Sequence, residues 1–124
     1  MLDVATRDDL ALLMSQFYVV MLKDEELAPI FTDVARIHLE THLPVLVDFW
    51  EGILFGTGNY AGNPMAIHIA LHRQYPLTKR HFELWLGYFT TTVDAYFKGE
   101  KADMMKIRAL SIATVMQIKL MQSA

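Results

Sequence analysis

The residues of this chain best suited to chemistry are its five histidines, His38, His42, His68, His72 and His81. His38/His42 and His68/His72 are each spaced i, i+4, which places both rings of a pair on one face of a helix, a spacing that can chelate a metal. The chain has no cysteine, so disulfides, thiolate-held zinc, iron–sulfur clusters and covalent cofactor attachment through a C-x-x-C-H run are excluded. Any metal must be held by nitrogen or oxygen. The run HLETH at 38–42 is not the HExxH motif of zinc hydrolases, because its acid, Glu40, lies on another helix face and no carboxylate cluster completes a site. A zinc enzyme is therefore set aside.

A single histidine on a helix is ordinarily a partly exposed polar residue and nothing more. His42 differs because it shares a stripe with Leu46, Phe49 and Trp50, an expensive place for an idle polar group. His68 and His72 sit on a short segment after a long loop, while Tyr18 and Trp85 carry O–H and N–H donors on otherwise apolar faces. Such donors need partners when buried. An imidazole on one side of a cavity and Tyr18, His42 and Trp85 on the other suits a planar iron porphyrin with a small bound ligand.

Helices must position these groups. Leu10, Leu13, Met14, Phe17, Tyr18 and Met21 recur at three- and four-residue steps, with Thr6 as cap and Asp8 and Asp9 in the first turn. A break at Asp24 to Pro29 leads to a short helical turn around Ile30-Phe31. From Val34 to Leu54 a second long helix carries His38, His42, Val45, Leu46, Phe49, Trp50 and Ile53 on one stripe, with a bend or break expected at Pro44. The run FGTGNYAGNP is a loop. Pro64 opens a short helix to His72, and Arg73 to Leu77 links it to a helix capped by Thr78. That helix bears Phe82, Trp85, Leu86, Phe89, Val93, Tyr96 and Phe97. The last helix, Lys101 to Met121, is expected to bury Met105, Ile107, Leu110, Ala113, Met116 and Ile118.

The whole is all-α, with no competing strand pattern, and is read as one domain over residues 1–124. Hydrophobic residues make up 53% and charged residues 20% of the chain, enough for a core, and the net charge of -3 with scattered Lys and Arg argues against a nucleic-acid partner. Neither a signal peptide nor a membrane span is legible, so the cytoplasm is the expected location. Eight methionines and fourteen aromatics, the sum of seven Phe, five Tyr and two Trp, suggest an irregular cavity with soft walls.

Three runs together, FYVVMLKDEELAPIF at 17–31, His42 with FWEGILFGTGNYAGNPMAIH at 49–68, and HFELW at 81–85, resemble the group III truncated haemoglobins over almost the whole chain. The resemblance implies a truncated globin with a two-over-two helical sandwich around haem b, iron protoporphyrin IX. It implies that Phe17-Tyr18 supplies a distal tyrosine, that His42 and Trp50 line the distal side with Leu46 beside them, and that Trp85 closes the pocket. Phe31 matches the phenylalanine that packs on haem in globins generally, and the GxPxxxH run Gly62, Pro64, His68 matches the segment bearing the iron ligand. The interval from His68 to Trp85 is longer than this family usually shows. His72 thus stays open as the alternative ligand, although the ungapped match from His42 to His68 favours His68.

The implied activity is binding of O2 or another diatomic ligand, with peroxide or nitric oxide chemistry possible and an unidentified reductase as a partner. Strong distal donors favour retention over release, which fits a reactive role better than an oxygen store. The competing reading is a globin-fold sensor or interaction module that holds no haem.

Overall fold

Thr6 opens the first helix through reciprocal bonds. Its side chain accepts from the Asp9 N–H, and the Asp9 carboxylate accepts from the Thr6 N–H, so two of the unpaired amides at the start of helix α1 (Arg7–Met21) are satisfied. Leu10, Leu13, Met14, Phe17, Tyr18 and Met21 are all buried, as their spacing predicts. The computed structural model describes residues 1–122, so Ser123 and Ala124 of the expected domain lie outside the described residues.

After α1 the Asp24 carboxylate accepts from the N–H groups of Glu26 and Leu27 and from the Tyr88 hydroxyl, tying this corner to helix α4 (Lys79–Tyr96). The expected short turn is a π-helical one, Ile30–Val34, with Ile30 buried and Phe31 half-buried.

Helix α2 runs Leu39–Phe55 and so begins five residues later than the sequence predicts from Val34. Arg36 adopts φ 52°, a left-handed conformation that ends the π-turn, and His38 is an extended cap residue at φ -109°. His38 is therefore exposed and off the α2 stripe, and the His38/His42 pair shares no helix face. Pro44 does not break α2. It sits in the second turn, where it removes one backbone bond, while buried Val47, Trp50 and Leu54 and the Arg7 bonds to Asp48 (2.6 Å) and Glu51 (3.4 Å) hold the helix to α1. Gly56, at φ 71°, ends it with a left-handed cap.

Helix α3 (Pro64–Gln74) has the predicted N1 proline behind an Asn63 cap, and α4 has the predicted Thr78 cap. Helix α5 (Glu100–Gln122) buries Ala102, Met105, Ala109, Ala113, Met116 and Leu120, not the expected Ile107, Leu110 and Ile118, which are 65%, 54% and 50% exposed. Small alanines let α5 lie close to its neighbours, so the bulky residues are turned outward. Its first turn is capped from a distance: Asp3 accepts from the N–H groups of Lys101 and Ala102, each at 2.9 Å.

α1 packs on α2 and α4 on α5, and the two pairs meet through α1 on α4 and α2 on α5, which is the expected two-over-two arrangement. There is no strand among the described residues. Helix α3 rests on α5, and none of its side chains is buried.

Candidate functional site

Tyr18 is the fixed point of the site. Its ring is held edge-on by Phe17 at 5.8 Å and Phe31 at 5.5 Å, and its hydroxyl lies 2.9 Å from His42 Nε2. A buried phenol needs an acceptor for its proton, so the O–H donates and the His42 proton sits on Nδ1. Burial pushes the Tyr18 phenol well above its ordinary value, and it stays protonated across the physiological range. Burial also pushes the half-buried His42 down, and a positive charge on His68 would push it the same way.

On α3 the two histidines differ in their partners. His68 Nδ1 lies 2.6 Å from the Pro64 carbonyl oxygen, which can only accept. Nδ1 therefore carries the proton, and Nε2 keeps a lone pair free for a metal. The Leu77 N–H donates to His72 Nδ1 at 2.9 Å. In neutral His72 the proton is then on Nε2, which has no lone pair to offer. Both rings are half-buried.

Trp85 and Trp50 flank Phe89 with near-parallel rings, at 5.5 Å and 5.1 Å respectively. Trp50 is 4% exposed and belongs to the core cluster, whereas Trp85 is half-buried at its margin and also meets Phe17 edge-on at 5.8 Å. Leu46, like Phe31, packs on the cluster without being buried by it. The structure thus joins Tyr18, His42 and Phe31 directly and places Trp85 one ring away through Phe17. Trp50 faces Phe89 instead. Sequence reasoning did not find the Pro64 carbonyl and Leu77 N–H, because backbone groups carry no residue signature.

Whether these residues suit a planar iron porphyrin can be tested on the packing. Helix α3 buries nothing although Met65, Ile69 and Leu71 are apolar, and Phe31, Leu46 and Trp85 remain half-buried although they pack on the core. Apolar surface left uncovered on elements that bear a metal-competent imidazole and a hydroxyl donor is the chemistry such a group needs. The residues fit. A group of three or more potential metal-ligating side chains, as a zinc enzyme would need, does not occur among the described residues. A separate apolar cavity of about 340 Å³, lined by Phe49, Pro64, Met65, Ile112 and Met116 among others, lies under the first turn of α3 and is bordered by neither imidazole.

Comparison with known proteins identifies the family of the chain. The family model described as bacterial-like globin matches residues 4–118. The group 3 truncated hemoglobin ctb of Campylobacter jejuni is 30% identical over 118 residues, which covers 93% of this chain and 91% of that protein. A crystal structure of the group III truncated hemoglobin from Campylobacter jejuni aligns with a TM-score of 0.87 and 30% identity, covering 97% of this chain and 95% of that one.

Proposed function

Because the chain belongs to the bacterial-like globins, as a group III truncated haemoglobin, we propose that it holds haem b with His68 as the iron ligand. On this reading it binds dioxygen or another diatomic ligand on the Tyr18 side. The observation that carries the assignment is the bond from His68 Nδ1–H to the Pro64 carbonyl, which leaves Nε2 as a neutral donor atom. The absence of cysteine rules out the thioether links of c-type haem, which supports the b-type reading.

When bound, haem supplies the iron at which a diatomic ligand is held. The chain supplies the rest. Phe31, Leu46 and the Phe17 edge exclude water, and Tyr18, kept protonated by its burial, presents an O–H donor. Trp85 adds an indole N–H that is not hydrogen-bonded within the described residues. A hydrogen bond to a group with developing charge contributes about 1.5–3 kcal/mol, which corresponds to roughly ten- to a hundredfold in residence time. Such retention favours a reactive role, toward peroxide or nitric oxide, over oxygen transport. A cytoplasmic reductase is the partner this reading calls for.

The test is haem reconstitution of three proteins. The unaltered chain and His72→Ala are expected to give a stable Soret band, and His68→Ala is expected to lose it on gel filtration. A band kept by His68→Ala and lost by His72→Ala moves the ligand one turn, and no band in any of them ends the haem reading.

A further inference from the structure

The outer face of α5 carries apolar side chains that stay largely exposed among the described residues. Ile107, Leu110, Ile118 and Met121 are 65%, 54%, 50% and 78% exposed, and Val115 beside them is 48% exposed. They lie on one stripe with Thr114 near its middle, and no charged residue falls within the stripe from Ile107 to Met121. A helix that buries one face against its own fold and is apolar on the opposite face has two partners. One of them is missing here.

The spacing of the stripe says what the missing partner is. From Ile107 the steps to Leu110, Thr114, Ile118 and Met121 are three, four, four and three residues, the same read in either direction about Thr114. Two copies of α5 laid antiparallel across a two-fold axis at Thr114 therefore oppose Ile107 to Met121 and Leu110 to Ile118, each pair occurring twice. An isologous interface requires a patch complementary to itself, and a stripe symmetric about its centre meets that requirement. A different partner protein would impose no such symmetry. The overlap is about 21 Å long at 1.5 Å per residue. The exposed part of these side chains is on the order of 600 Å² per copy, or about 1,200 Å² for a pair, at the lower edge of specific interfaces.

We propose that the α5 face Ile107–Leu110–Thr114–Ile118–Met121 is a homodimer interface, formed antiparallel about Thr114, with a dissociation constant in the micromolar range. The dimer leaves the α1 and α2 side of the haem site uncovered, because the stripe lies on the opposite face of α5 from its buried contacts.

Sedimentation of the full chain over roughly 5 to 500 µM tests this. The mass is expected to rise from 14.2 kDa toward twice that value with concentration. Leu110→Lys and Ile118→Glu, both at exposed positions, are each expected to weaken self-association at least tenfold while keeping the helical circular dichroism of the parent. Mixing the two variants is expected to restore association as a heterodimer, since Leu110 opposes Ile118 of the other copy. A monomer at every concentration overturns the proposal, whether or not the chain then partitions onto lipid vesicles. Self-association unchanged by either variant, or no rescue on mixing, also overturns it.

Discussion

The proton of the Tyr18 hydroxyl has His42 Nε2 as its acceptor at 2.9 Å, and a ligand must compete for it. A neutral imidazole is the weaker acceptor, since hydrogen bonds to charged partners are roughly twice as strong as neutral ones. A bound dioxygen that gathers negative charge would therefore replace His42 as the acceptor of the Tyr18 hydrogen bond, at the cost of the Tyr18–His42 bond. Two substitutions follow from this. Tyr18→Phe is expected to speed oxygen dissociation by about ten- to a hundredfold, the equivalent of one charge-assisted bond. His42→Leu, which removes the competitor, is expected to slow it by up to about tenfold, and stopped-flow displacement measures both. That Tyr18 and His42 turn inward was legible in the sequence, because each sits on an apolar stripe, but their bond to each other was not. The choice between His68 and His72 was not. Residues one turn apart project alike, and what separates them here is the Pro64 carbonyl on one ring and the Leu77 N–H on the other.

Element α5 depends on a residue 98 positions from Lys101, for it is the Asp3 carboxylate that accepts from the Lys101 and Ala102 N–H groups, although Glu100 and Asp103 also lie in that first turn. A Cβ on Gly99 would come within 2.5 Å of Asp3 Cγ, so the approach that makes this cap needs a glycine at the corner. Burial acts to raise the Asp3 carboxyl, but the N–H groups of Lys101, Ala102 and Val4 and the charge of Lys101 outweigh it, and the group titrates below its ordinary 3.8. The folded chain thus binds this proton less readily than the unfolded chain. The stabilisation is complete above that ordinary value and is lost as pH falls through the depressed one. Asp3→Ala is expected to cost about 1 kcal/mol, or roughly 4 °C in Tm. Asp3→Asn should keep most of the cap while flattening the fall in stability below about pH 4, and thermal melts from pH 3 to 7 check both. The sequence located α1, α3 and α4 well because their caps are local and strong. It set the start of α2 early because the left-handed Arg36 leaves no residue signature, and on α5 it placed Met105, Ala113 and Met116 inside correctly but added the exposed Ile107, Leu110 and Ile118, because alanines carry little hydropathic weight beside isoleucines.

At the scale of the molecule, Phe89 joins the two helix pairs. It is 1% exposed, lies between Trp50 of α2 and Trp85 of α4, and meets Phe17 of α1 edge-on at 5.2 Å. Phe89→Ala is expected to destabilise the chain by about 3–5 kcal/mol, because three rings lose their common contact and cannot collapse together. Urea denaturation reads that loss. Helix α3 stands at the other extreme, since it contributes no buried side chain to this interior. Substitutions at its exposed Ile67, Ala70 and Arg73 should leave the unfolding midpoint of the haem-free protein within about 0.5 kcal/mol of the parent. The part of the chain nearest the proposed iron is therefore the part freest to drift between lineages without endangering the fold, and selection can retune it for a new ligand while the other four helices stay as they are.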